Sequence, residues 1–237
     1  MTTTTVVALD GERCLLVDPA MEPHDLAAVA DWLVATDRRV AFGWSTHAHW
    51  DHVLWSSRFG RDVPRFATQA NVATCSAELP ELHGYIDHQC PGHEVELCGL
   101  LTPVRAAGLL WPAAWEVAEH RAHAPGHALL WLADRGVLIV GDMVSDIEIP
   151  TLDLDQADPL GDYRRALDLI EAYADRAAVF VPGHGRAGDA TELRCRLERD
   201  RRYLDDLASG RPTFDRRIEA DWLRQQHERQ VARFAGD

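Results

Sequence analysis

The chain contains no lysine: all 24 of its basic residues, histidine aside, are arginine. That removes Schiff-base chemistry and lysine general bases from the possible mechanisms. No apolar run approaches the roughly 20 residues needed to cross a bilayer. The N-terminal stretch MTTTTVVALDGERCLLVDP has no basic start followed by a long apolar segment, so it does not read as a secretory signal. Cysteine is sparse and odd in number, with Cys14, Cys75, Cys90, Cys98 and Cys195 scattered along the chain. Five such cysteines fit free thiols in a reducing cytoplasm better than a disulfide framework. A cytoplasmic location is the expectation.

Positive charge is also scarce. The formal net charge is −14 over 237 residues, which works against binding a phosphate backbone or an anionic membrane. The expected partner is a small-molecule substrate, with no nucleic acid and no membrane. A hydrophobic fraction of 46% is enough to bury a substantial core.

Short β-rich runs alternate with helical ones. Val6 to Leu9 and Arg13 to Val17 read as strands around a turn at Asp10-Gly11-Glu12. His24 to Thr36 carries Leu26, Val29 and Leu33 at helical spacing. Val40 to Ser45 reads as a buried strand, Val53 to Phe59 as the start of a helix, and Arg65 to Thr68 and Asn71 to Glu78 as a strand and a helix. Leu79 to Pro112 has no readable period. Strands follow near Trp115, at Ala128 to Leu132 and at Val137 to Val140, then a helix from Pro159 to Ala174 and a strand from Ala178 to Val181. Two helices close the chain, one lined by Leu193, Leu197, Leu204 and Leu207, the other by Ala220, Leu223, Val231 and Phe234. Isolated helices of this length are marginal in water, so they should pack on the rest. The expectation is one domain over 1–237, a core of about 1–190 with a helical appendage over about 191–237. The appendage should help to wall the substrate pocket.

The densest chemical signal is Thr46-His47-Ala48-His49-Trp50-Asp51-His52. Imidazole and carboxylate together suit zinc, and also iron or manganese. Alternation lets His47 and His49 leave one side of an extended segment, while Asp51 and His52 follow where the chain turns. Three further pieces sit at strand ends: Ala124-Pro125-Gly126-His127, Val140-Gly141-Asp142 and Val181-Pro182-Gly183-His184-Gly185. Each is weak alone; the ordered set is hard to produce by chance.

The order HxHxDH, PGH, GD, PGHG over about residues 6 to 187 resembles the metallo-β-lactamase superfamily. The resemblance implies an α/β fold, a four-layered αββα sandwich with the metal site at one edge between two sheets. It implies two divalent metal ions, zinc first and iron or manganese as alternatives. His47, His49 and His127 would bind one ion, Asp51, His52 and His184 the other, and Asp142 would bridge them. His123, four residues before His127, is set aside because Pro125-Gly126 immediately precede His127. Asp51 and Asp142 are the candidate catalytic residues, offsetting metal charge and able to accept a proton. Val53-Leu54-Trp55 depart from the small residues common after HxHxDH in the family. Asp142 stands where one large subgroup of true β-lactamases has cysteine, which turns the expectation from antibiotic hydrolysis toward a glyoxalase II- or lactonase-like enzyme.

The implied activity is hydrolysis of a thioester, lactone or other carboxylic ester. The alternatives are a mononuclear iron persulfide-dioxygenase-like oxidoreductase and a phosphodiesterase on the same fold. His83, His88 and His93, near Cys90 and Cys98, match no tight ligand spacing and read as an ordinary polar loop. Asp146 and Glu148 read as a solvated loop. Trp50 and Trp55 are open between core packing and a pocket wall.

Overall fold

The computed structural model describes residues 3–19, 21–104 and 115–235. Within the unreadable stretch 79–112, residues 105–112 therefore lie outside the described residues.

Two sheets form the centre. The first has the order β1 (Val6–Asp10), β2 (Arg13–Val17), β3 (Arg39–Trp44), β4 (Arg65–Ala67), β5 (Thr102–Pro103). Its first pair is antiparallel and the others are parallel. The second has the order β6 (Trp115–His120), β7 (His127–Leu132), β8 (Val137–Gly141), β9 (Val179–Pro182). Its last pair, β8 and β9, is parallel, with Gly141 opposite Pro182.

The period of two along a strand explains the layering. In β2, Leu15 and Val17 point between the sheets, where they meet Phe42, Trp44, Ala128, Leu130, Leu132 and Ile139. Cys14 and Leu16 point the other way, onto Leu26, Ala30 and Leu33 of α1 (Pro23–Ala35). In β7 the residues Ala128, Leu130 and Leu132 join the inter-sheet core, while Leu129 and Trp131 face the opposite helical layer. The run His-Ala-Leu-Leu-Trp-Leu is buried throughout because both of its faces are covered. The result is the αββα sandwich expected from the sequence.

α2 (Gln69–Ala77) is capped by the Thr68 hydroxyl, which accepts the Asn71 N–H at 3.2 Å. The same hydroxyl donates to the Gly126 carbonyl at 2.6 Å and so holds the 124–126 turn. The start of the unreadable stretch is helical, α3 (Leu79–Gln89), with Pro80 in its first turn. His83 there bonds the Cys98 carbonyl at 3.0 Å and His93 bonds the Met21 carbonyl at 2.9 Å. These histidines thus brace a helix and its exit, where an ordinary loop is expected. The helix expected from Val53 to Phe59 does not form. Short 3-10 turns at Trp50–His52 and Ser57–Phe59 flank an extended stretch. Val53, Leu54 and Trp55 are consecutive and all buried, which a one-sided helical stripe cannot achieve.

On the far side α4 (Pro159–Glu171) packs on the second sheet, and α5 (Ala190–Ser209) packs on α4. Leu193, Leu197, Leu204 and Leu207 are buried as the periodicity requires, joined by Tyr203. α6 (Asp221–Phe234) departs from its expected apolar face: Leu223 is buried, but Val231 is 42% exposed. Its second anchor is polar. Gln230 is fully buried, accepting the Leu152 N–H and donating to the Tyr203 hydroxyl, both at 2.7 Å. No described helix is long and apolar enough to cross a membrane.

Candidate metal centre

Where β3 ends, Ser45 and Thr46 turn the chain toward the second sheet. Asp18, at the end of β2, organises this turn. One of its carboxylate oxygens accepts the Thr46 N–H at 2.8 Å; the other accepts the Thr46 hydroxyl at 2.6 Å and faces His52 Nδ1 at 2.9 Å. Asp18 is buried and has φ +43°, a left-handed conformation that Asp tolerates better than bulky residues. No ligand motif marks Asp18, although an aspartate straight after the buried run Cys14 to Val17 is a visible signal.

Two groups of side chains converge at the sheet edge. In the first, His49 Nδ1 lies 3.0 Å from both His47 Nε2 and His123 Nε2. Asp142 Oδ2 lies 3.5 Å from His47 Nε2 and 3.4 Å from His123 Nε2. In the second, His52 Nε2 lies 3.3 Å from His184 Nε2 and 3.5 Å from Asp51 Oδ2, and His184 Nε2 lies 3.2 Å from Asp51 Oδ2. Asp142 reaches this group as well, with Oδ1 3.1 Å from His52 Nε2 and Oδ2 3.2 Å from His184 Nε2. His49 is the exposed member; His47, His52, His123 and His184 are buried.

The preference for His127 over His123 is corrected by these distances. Both ring nitrogens of His127 are occupied by protein: Nε2 accepts the Asp142 backbone N–H at 3.1 Å, and Nδ1 faces His120 Nε2 at 2.9 Å. His127 thus props the backbone that carries Asp142, while His123 stands among the ligand atoms. Gly141 makes the stacking possible, since a Cβ there would fall 2.4 Å from His127 Nε2. Gly183 is equally constrained, because a Cβ would meet Asp142 Oδ1 at 2.1 Å.

The donor set fits cations. A carbonyl only accepts, so the 2.8 Å contact to Thr151 O places a proton on His123 Nδ1 and turns Nε2 inward as an acceptor. The Thr46 hydroxyl spends its proton on Asp18, so its oxygen accepts from His47 Nδ1 at 3.1 Å. His52 Nδ1 donates to Asp18. In each ring the inner nitrogen is the one left for a proton or a metal. A tetrahedral ion with bonds of about 2.0–2.1 Å holds its ligand atoms about 3.3 Å apart, the spacing found here. Asp142 Oδ1 is buried and accepts no hydrogen bond. The two groups, with Asp142 in contact with both, fit a dinuclear metal site.

Charge follows the same pattern. Burial opposes a proton on His52, but Asp142, Asp51 and Asp18 outweigh it and hold the ring well above its usual range. His184 is pushed up to about 12 against burial, by Asp142 and Asp51. Burial holds His47 well below the usual range, helped by the charge of His52. The carboxylates therefore collect positive charge, and a metal ion must displace those protons to bind.

Glu148 is also here, contrary to the expectation of a solvated loop. It is buried, its Oε1 lies 3.8 Å from His184 Nδ1, and burial raises its carboxyl to about 7. Asp146 is tied to the Arg186 backbone N–H at 2.8 Å. Trp55 belongs to the core, donating to the Gly60 carbonyl at 3.0 Å. Trp50 is half-buried beside the site, edge-on to Tyr85 at 6.0 Å between ring centroids.

A search of curated proteins finds no match. Solved structures share this fold. A β-lactamase domain protein from Burkholderia ambifaria is 18% identical, covering 97% of this chain and 80% of its own, with TM-score 0.67. A metallo-β-lactamase family protein from Thermus thermophilus is 21% identical, covering 98% and 86%, with TM-score 0.65. The protein TTHA1623, solved in a di-iron-bound form, is 20% identical, covering 82% and 93%, with TM-score 0.62. The family model described as Metallo-beta-lactamase superfamily matches residues 1–184, a span that ends on His184 and takes in every histidine and aspartate of the two groups. The chain belongs to the metallo-β-lactamase superfamily.

Proposed function

We propose that the protein is a metal-dependent hydrolase of an acyl substrate: a thioester, a lactone or another carboxylic ester. The observation that carries the reading is the reach of the Asp142 carboxylate into two groups of ligand atoms, to His47 and His123 at 3.5 and 3.4 Å and to His52 and His184 at 3.1 and 3.2 Å. His47, His49, His123 and Asp142 would hold one ion, and Asp51, His52, His184 and Asp142 the other, with zinc the first candidate. When bound, such a pair supplies Lewis acidity and acidifies water.

The chain's own residues do the rest. Asp18, Thr46 and the Thr151 carbonyl orient the rings, so the inner nitrogens need no reorganisation. Val53 and Leu54, both buried, exclude water from behind the ligand loop. On this reading Asp51 and Asp142 would offset the metal charge and accept a proton from water. Burial works against the Asp142 anion, but His52, His184 and His47 keep it well below the usual carboxylate range, so it stays ionised at neutral pH. Trp50 and Tyr85 offer an apolar flank for an acyl chain or ring.

The test is elemental analysis followed by a panel of thioesters, lactones, aryl esters and phosphodiesters on zinc-loaded protein. Acyl hydrolysis that His49→Ala abolishes supports the reading. Phosphodiester cleavage with every acyl substrate inert would replace it, as would a single iron together with persulfide oxidation.

A further inference from the structure

A cavity of about 820 Å³ lies between α5 and residues 213–220, closed on another side by Asp146 and Ile147. Four guanidinium groups line it: Arg199, Arg202, Arg216 and Arg217. Two are already neutralised. Arg217 is held between Asp200 at 2.7 Å and Asp215 at 2.6 Å, and Arg202 pairs with Glu198 at 3.0 Å. The other two have no carboxylate partner among the described residues. Arg199 gives Nη2 to the Ser145 carbonyl at 2.8 Å, and Arg216 is exposed and pairs with no described acid.

Of the lining carboxylates, Asp146, Asp206 and Asp215 are each bound to an arginine. Arg217 holds two carboxylates, Asp200 and Asp215, and both also attract Arg199; with Glu219, the four lining arginines are matched by four lining carboxylates. In a chain with net charge −14, this concavity is locally neutral, and Arg199 and Arg216 are the two lining cations that form no ion pair among the described residues. Burial and then the neighbouring Arg217 make the Arg199 cation costly, and an incoming anion would offset that cost. The apolar part of the wall is unusual too. Phe214 is 95% exposed and Ile147 is 42% exposed, so the Phe214 ring is almost uncovered by its own chain.

We propose that this cavity binds a small organic carboxylate with an apolar body, its carboxylate between Arg199 and Arg216 and its body against Phe214 and Ile147. Planar guanidinium forks match a carboxylate geometrically, and two of them with an aromatic wall select an amphipathic anion over inorganic phosphate. The segment Ser145–Glu148 is the partition between this cavity and the metal centre. Ser145 Oγ donates to the His184 carbonyl at 2.8 Å, while Ser145 O accepts from Arg199 and Arg217. The site stands independently of which bond the metal centre cleaves.

Phenylacetate is a suitable probe, with 2-phenylethanol as its uncharged counterpart, titrated calorimetrically into the full-length protein. The expected result is saturable phenylacetate binding, weakened about ten-fold or more by Arg216→Gln and by Phe214→Ala, with the alcohol weaker by a similar factor. The Arg216 side chain is exposed and pairs with no described acid, so that variant should fold normally. His49→Ala should leave the affinity unchanged, which separates this cavity from carboxylate capture at the metals. Absence of saturable binding, equal binding of the alcohol, or binding lost in His49→Ala and kept in Arg216→Gln would overturn the proposal.

Discussion

Asp18 Oδ2 lies 2.9 Å from Nδ1 of His52, and the same oxygen takes the Thr46 hydroxyl at 2.6 Å. One carboxylate at the end of β2 thus sets the ring orientation of His52 directly and of His47 through Thr46. Asp18→Ala should lower metal affinity by about 10–100-fold, the usual effect of losing an outer partner of a ligand. Asp18→Asn, which tolerates the left-handed backbone and keeps one acceptor, should lose less. Metal titration against a competing chelator reads both.

His123 and His127 should separate cleanly. His123→Ala removes a ligand atom and should lower the bound metal by about half after repletion. His127→Ala should keep most of the metal but strand the Asp142 N–H, costing about 1–3 kcal/mol of stability. Elemental analysis beside urea unfolding distinguishes the two. If His127→Ala lost metal and His123→Ala kept it, the assignment made from the distances would be reversed.

Arg217 is a structural bolt. It donates to the carbonyls of Ser145 and Glu148 at 3.0 and 2.8 Å and pairs with Asp200 and Asp215, all in a buried setting. Arg217→Ala leaves the buried Asp200 without its ion-pair partner and should cost about 3–5 kcal/mol in chemical denaturation. Arg217→Ala combined with Asp200→Ala should recover part of that loss.

The thiols give a pH prediction. Burial raises Cys14 and Cys98 to about 11 and Cys75 to about 12, from 9.0 for a free thiol. These groups are protonated in both states below pH 9.0, where their contribution to stability is fully present. Above it the unfolded thiols ionise first, so stability falls as the pH rises from 9.0 toward about 11–12. Melting temperatures in that window should drop less in a Cys75→Ser, Cys98→Ser variant than in the parent. At pH 8 a thiol reagent should label exposed Cys195 quickly and the four buried cysteines only on unfolding.

Most of the sheet core is legible in the sequence because strands buried on both faces leave unbroken apolar runs, such as Ala128 to Leu132. The ligand loop is legible for a different reason: ligands clustered within a few residues leave a local pattern. His123 against His127 is not decidable that way. The two are four residues apart, and only the turn at Pro125-Gly126, pinned by Thr68, determines which ring points inward. Glu148 is illegible because its burial depends on Arg217, which is distant in sequence and grips the Glu148 carbonyl. The Val53 to Phe59 stretch reads as helix from its local pattern, where the burial of Val53, Leu54 and Trp55 in succession forbids one.

Each ligand group draws on both sheets. His47, His49, Asp51 and His52 follow β3 of the first, while His123, Asp142 and His184 follow strands of the second. A bound ion would therefore cross-link two layers otherwise joined at this edge by weaker contacts, such as the Thr4 N–H to Gly183 O bond at 2.6 Å. Ion loss would then register as breathing between the sheets, with amide protons at the ends of β3, β8 and β9 exchanging faster while those at the opposite edge hold their rates. On this view the centre acts as a mechanical latch as well as a reaction site, and chelation should be visible in hydrogen exchange before any change in helix content.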